Sequence, residues 1–204
     1  MKDKLISEFP DALAPRKSVD GILAFNCKPN ALVKVAKALR DAYEFQSLTD
    51  LASIDNGEDA GNARFGAVYH FYSHTKKTYV RLVATCESAE KPVLPSLCSV
   101  YKGADWLERE AFDLMGIVFE GHPSLRRILM WDAYPYHPLR KDFPLEGKPA
   151  PLPPTFEGNE DAIQITPAPE RGGPFHSPNG GVKYVSEKEP RSVQGSSDEK
   201  IDNI

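Results

Sequence analysis

Apolar positions recur at helical spacing early in the chain. Leu32, Val35, Ala36, Leu39 and Tyr43 fall on the i, i+3, i+4, i+7, i+11 stripe of a one-faced helix, with Pro29 suited to the first turn ahead of it. A short strand is predicted over residues 19–25 before this helix, and another over 45–54 after it. Two runs rich in β-branched and aromatic residues follow, over 63–73 and 78–86, separated by His74-Thr75-Lys76-Lys77, and together they read as an antiparallel hairpin. In the first run Phe65, Ala67, Tyr69 and Phe71 alternate with Gly66, Val68, His70 and Tyr72. One face is therefore apolar and is expected to pack on helices, and His70 falls on the opposite, solvated or hydrogen-bonded face.

Two further helical pieces are predicted, over 93–101 and 106–115. The second has both ends written in its residues. Asp105 and Glu108 have capping-box spacing, and Gly116 stands where a left-handed C-terminal stop is favoured. These elements predict an α+β fold: a small mixed or antiparallel sheet with helices packed on one face, over residues 1–119.

Composition shifts near residue 144, because ten of the eighteen prolines lie from Pro144 onward, with Gly172-Gly173 and Gly180-Gly181 pairs beside them. Such a segment does not build a core of its own, yet it keeps scattered apolar residues such as Leu152, Phe156, Ile163, Phe175 and Tyr184. We read 145–204 as an extended Pro- and Gly-rich C-terminal arm and 120–144 as a docking segment. The chain from Gly121 onward is expected to order mainly against a partner.

Charge and cysteine content narrow the chemistry. A net charge of -4 without a long basic run leaves no general attraction for phosphate backbones, so nucleic acid is not an expected partner. Stretches without charge run to about eleven residues, whereas a membrane-spanning helix needs roughly twenty apolar ones. No secretory or lipidation motif is read at the amino terminus, so the chain is expected to remain in the compartment where it is made. Cys27, Cys86 and Cys98 form no C-x-x-C pair, and iron–sulfur clusters usually take four thiolates, so all three read as reduced, buried small hydrophobes.

Residues 106–144 carry a density of charged, aromatic, histidine and proline residues found nowhere else in the chain. The pieces are Glu108-Arg109-Glu110, Asp113-Leu114-Met115-Gly116, Gly121-His122-Pro123, Arg126-Arg127-Ile128-Leu129 and His137-Pro138-Leu139-Arg140-Lys141-Asp142-Phe143-Pro144. In this order they resemble the signature of the thirty-kilodalton subunit family, the bacterial C subunits, of respiratory complex I (NADH:quinone oxidoreductase). Weaker similarity reaches back through Leu48-Thr49-Asp50-Leu51 to Phe9-Pro10-Asp11-Ala12. The resemblance implies a scaffold subunit of the peripheral arm, on the cytoplasmic side of the cell membrane and attached to it only through the complex. It would hold no cofactor, since FMN and Fe-S clusters belong to partner subunits, and it would lie against the quinone-site subunit and a neighbouring Fe-S subunit.

Physically, adjacent arginines after a proline turn, facing a helix with three carboxylates, supply forked donors and acceptors that pair with geometric specificity. We therefore take Glu108, Glu110, Asp113, His122, Arg126, Arg127, His137, Arg140, Lys141 and Asp142 as the candidate partner-interface residues. The arginines and Lys141 are expected to meet carboxylates of a partner or of the 108–113 helix. Two alternatives stand beside this reading. Glu110, Asp113, His122 and His137 could gather a divalent ion in a stand-alone metal enzyme, although no H-x-x-x-H pair supports it and both histidines precede proline. The same motif also fits scaffold subunits of membrane-bound hydrogenases or ferredoxin-linked quinone reductases.

Overall fold

The hairpin forms as its alternation dictates. In the computed structural model, which describes residues 1–150, strand β4 (Phe65–Ser73) pairs antiparallel with β5 (Thr78–Thr85) from Gly66↔Thr85 to Ser73↔Thr78. Phe65, Ala67, Tyr69, Phe71 and Ser73 are buried, while Val68, His70 and Tyr72 on the other face are half-buried. Arg81 Nε donates to His70 Nε2 at 2.7 Å, so that histidine has the hydrogen-bonded surface role expected of it.

Strand β2 (Leu23–Cys27) lies parallel to β5, and β1 (Leu13–Arg16) and β3 (Ser47–Asp55) close the two edges antiparallel, giving the order β1-β2-β5-β4-β3. The sheet is mixed, one of the two forms expected for the α+β fold. Helix α2 (Leu32–Asp41) turns Leu32, Val35, Ala36 and Leu39 into the core, with Tyr43 buried just beyond it. Helix α3 (Ala104–Met115) packs beside β3, and its Ala104, Ala111 and Met115 join the same apolar cluster.

Four local readings change. The strand predicted over 19–25 starts only at Leu23, because Gly21 at φ +75° and the Ile22 N–H bond to Asp20 hold a turn ahead of it. Helix α1 (Lys2–Glu8) and β1 were not foreseen; α1 contributes a single fully buried side chain, Leu5, too little to show as a periodic stripe.

The helix over 93–101 is replaced by strand β6 (Val93–Pro95), parallel to β7 (Val118–Glu120), and a tight turn in which Val100 N–H bonds Leu97 C=O. Pro92 and Pro95 explain this: neither donates a backbone bond, and the residue before a proline is driven to extended geometry.

The capping box at Asp105 is also absent. Helix α3 starts two residues earlier than predicted, at Ala104, without a side-chain cap, and Glu108 points inward. The predicted stop at Gly116 is present, in left-handed geometry with φ 75° and ψ 24°.

Residues 121–150 are bonded to the rest of the domain at several points, among them the Leu139 and Lys141 amides and the Arg127, His137 and Arg140 side chains. The remainder of the arm read over 145–204, from residue 151 on, lies outside the described residues. Among the described residues no helix is long and apolar enough to cross a membrane.

Candidate functional site

The last four carbonyls of an α-helix have no partner within it. At the end of α3 each of them is met, and three are met by the signature segment. Phe112 C=O accepts the Gly116 N–H at 2.8 Å. Asp113 C=O accepts from His137 Nδ1 at 2.9 Å and Arg127 Nη1 at 3.2 Å. Leu114 C=O accepts the Leu139 N–H at 3.1 Å, and Met115 C=O accepts Arg140 Nε at 2.7 Å. Two guanidinium groups thus sit at the negative end of the helix dipole, where cations are favoured. A Cβ on Gly116 would run into Arg140 Nη2 and come within 2.7 Å of the His137 ring, so the helix stop and the docked segment require the same glycine.

Asp113, fully buried on the same helix, holds the segment from the other side. Its Oδ2 accepts the backbone N–H groups of Ile128 (3.0 Å), Leu129 (2.7 Å) and Met130 (2.8 Å), and its Oδ1 takes Arg127 Nη1 at 2.5 Å. Burial alone would raise its pKa. The bonds from Met130, Arg127, Ile128 and Leu129 outweigh that and hold it below the ordinary carboxylate value. Burial keeps His137 below its ordinary value, helped by the Arg140 and Arg127 charges and opposed by its bond to Asp113.

A second buried carboxylate fastens the end of the segment. Asp55 accepts Gly57 N–H (2.9 Å), Arg64 Nε (3.0 Å), Arg64 Nη2 (3.1 Å) and the backbone N–H of Lys141 (2.9 Å). Arg64 also reaches Asp142 at 2.8 Å, and the Phe65 ring lies 4.7 and 4.8 Å from the guanidinium carbons of Arg64 and Arg140. Desolvation pushes Asp55 up, but Arg64 and the Lys141 and Gly57 amides prevail and bring it to about 2.

Glu108 has a third internal task. Its Oε1 accepts the Leu97 N–H at 2.6 Å and its Oε2 the Ser96 hydroxyl at 2.6 Å, which pins the turn after β6. Burial raises its pKa against those bonds.

Cys98, Glu108 and His122 bring ligand atoms within 4.8 Å of one another, and among the described residues they are the group best placed to hold an ion. Their hydrogen bonds argue otherwise. His122 Nδ1 accepts the Ser124 N–H at 3.0 Å, which puts the ring proton on Nε2, where it faces Asp105 C=O at 3.2 Å. Both Glu108 oxygens already accept, and burial pushes the Cys98 thiol up to about 11, away from the thiolate a metal needs. The other grouping, Glu110 with Asp113, His122 and His137, is not assembled: Glu110 is exposed and both Asp113 oxygens are occupied. Burial likewise holds Cys27 at about 12 and Cys86 at about 11, in keeping with small hydrophobes, whereas Cys98 is only half-buried and departs from the reading of three buried cysteines.

Of the ten residues singled out in the sequence, Asp113, Arg127, His137, Arg140, Lys141 and Asp142 therefore meet within the domain. Arg140 and Lys141 do so through a carbonyl and a backbone amide rather than through side-chain ion pairs. Glu108 and His122 serve neighbouring turns. The side chains of Glu110 and Arg126 face solvent. Sequence reasoning gave Asp55 and Arg64 no role, and it placed Arg109 in the signature without counting it among the site residues. Arg109 Nε and Nη2 donate to the Arg126 and Arg127 carbonyls at 3.3 and 3.1 Å, beneath the exposed Trp106 ring at 5.2 Å. The Asp55-Asn56-Gly57 turn signature was the one visible hint of the Asp55 site.

Fold and site define an α+β domain whose polar C-terminal segment is bonded across the end of a helix and the edge of a mixed sheet. The chain belongs to the family described as respiratory-chain NADH dehydrogenase, 30 Kd subunit, which matches residues 25–149. The C 2 subunit of NADH-quinone oxidoreductase from Rhizobium meliloti is 41% identical over 145 residues, covering 70% of this chain and 78% of that one. The C/D subunit of the same enzyme from Sulfurihydrogenibium sp. is 43% identical over 129 residues, 62% of this chain and 22% of that much longer protein. Among solved structures, the trypsin-resistant fragment (1-134) of Nqo5 is 28% identical with a TM-score of 0.52, covering 61% of this chain and all of that one.

Proposed function

We propose that the chain is a scaffold subunit in the peripheral arm of a proton-translocating NADH:quinone oxidoreductase and carries no redox centre. Electrons pass from NADH to quinone through FMN and Fe-S centres in other subunits. This chain orders the surface on which those subunits meet, docking against the quinone-site subunit and a cluster-bearing neighbour. It is held at the cytoplasmic side of the membrane through the complex alone.

One observation carries this reading: the buried ionisable groups of the signature are taken up by bonds within the chain, with Asp113, Arg127, His137 and Arg140 holding its own segment in place, while Glu110 and Arg126 are left facing solvent. Asp113, Asp55 and Glu108 have both oxygens occupied, and the histidines are bonded at backbone groups. The outer surface then presents Trp106, Glu110, Arg126 and Leu129, the aromatic and arginine chemistry that dominates interface energetics. That one relative is a C/D subunit in a single chain supports a D-type subunit as a direct neighbour.

The test is Arg126→Ala in the intact complex, with quinone reductase activity per assembled particle compared with abundance in the membrane. Abundance should fall and activity per particle should stay near normal. Unchanged abundance with collapsed activity per particle would assign the segment a catalytic role. Stoichiometric iron, zinc or flavin in the purified chain would refute the absence of a redox or metal centre.

A further inference from the structure

The two edges of the main sheet are treated differently. Strand β1 is four residues long and carries Pro15, two devices that blunt an edge against further pairing. Strand β3 is nine residues long, has no proline, and pairs with β4 on one side only. Among the described residues no backbone hydrogen bond reaches its other side between Thr49 and Ile54. A groove runs there, with Asp50, Leu51, Ala52 and Ser53 on the strand side and Leu107, Glu110, Ala111, Leu114 and Leu139 on the other.

The geometry points to a β-augmentation site, in which an extended segment of a neighbouring subunit adds to β3 within this groove. The inference rests on the scaffold reading above and names the surface through which that role is exercised. An edge strand beside a helix offers main-chain pairing for affinity and side-chain pockets for every second residue of the guest. Leu107 and Leu114 are half-buried and Leu139 is 56% exposed, an apolar wall with no cover among the described residues.

Charge selects the occupant. Asp50 and Glu110 are both exposed on the rim, and the groove lining contains no Lys or Arg. The guest is therefore an extended segment with apolar residues at alternate positions and lysine or arginine between them. A second copy of this chain would bring the same two carboxylates against these.

Hydrogen exchange of the purified full-length chain and of the intact membrane complex tests this. Amides of residues 50–53 on the outer side of β3 should exchange readily in the purified chain and slow at least about tenfold in the complex, while β1 stays unchanged. In a complex carrying Ala52→Cys, at an exposed position, a short cysteine-to-lysine cross-linker should join residue 52 to a lysine of a neighbouring subunit. Adding Glu110→Lys should lower the yield of that product.

Equal exchange in both samples would overturn the proposal. So would protection already present in the purified chain, or a cross-link only to this chain or a second copy of it. Because Arg126→Ala reads activity per particle and does not involve β3, a normal result there with an unprotected β3 would remove the groove proposal alone.

Discussion

Replacing Asp113 by asparagine keeps the volume and removes the charge, and the surrounding bonds set the cost. An asparagine can turn its oxygen toward the three amides of Ile128, Leu129 and Met130, which leaves its NH2 against the Arg127 guanidinium, donor to donor. The opposite rotamer loses three acceptors to save one, so the first is preferred. The loss is then one charge-assisted bond, about 1.5–3 kcal/mol, plus the weakening of three bonds from a charged to a neutral acceptor.

With Asp113 fully buried and the Arg127 side chain 12% exposed, the sum falls at about 3–5 kcal/mol, the usual cost of breaking a buried pair from one side. For a chain of this size that lowers the melting temperature by about 6–20 °C. Thermal and urea unfolding of the purified chain measure it. Hydrogen exchange should show the amides of residues 128–130 released first. Adding Arg127→Met should recover part of the loss, because the stranded guanidinium is then gone, and the double mutant should be less destabilised than the two single changes together. An Asp113→Asn protein within about 1 kcal/mol of the parent would refute the claim that this carboxylate holds the segment.

Two further outcomes are expected. Asp55 sits at about 2 in the fold against an ordinary value of 3.8, a depressed carboxylate, so it contributes about 2.5 kcal/mol that is fully present above about pH 5 and fades as pH falls toward 2. Acid titration of stability should therefore be flatter in Asp55→Asn than in the parent over that window, and an identical slope would sink the assignment. Gly116→Ala should cost about 2–3 kcal/mol, since left-handed strain is joined by the clash with Arg140 and His137, while Gly121→Ala, at φ +82° in open space, should cost about 1 kcal/mol; equal melting temperatures for the two would refute the shared role of Gly116.

Elements that depend on neighbours in sequence were legible. The stripe from Leu32 to Tyr43, the alternation from Phe65 to Phe71 and the stop at Gly116 all appear where local periodicity puts them. The helix expected over 93–101 shows the limit of that method. Val93, Leu94, Leu97, Val100 and Tyr101 have helical spacing, and all but Val93 are buried, but Pro92 and Pro95 settle the backbone before side-chain pattern can.

The site was legible as a set of residue types and not as a set of pairs. Lys141 and Asp55 stand 86 residues apart and Arg64 and Asp142 78 apart, so no spacing rule connects them. The carboxylates of α3 were read as acceptors for arginines, from a partner or from the segment that follows, and Arg127 on Asp113 takes the second course. What that reading leaves out is the backbone. A helix that ends inside the domain has carbonyls with no partner, and a proline-rich segment running beside it has N–H groups with no ladder to join. Each needs what the other has, and Asp113, Arg127, His137 and Arg140 are the side chains that complete the exchange. It follows that residues 121–150 find hydrogen-bond partners within their own chain, at the open end of α3 and at the buried carboxylates of Asp113 and Asp55.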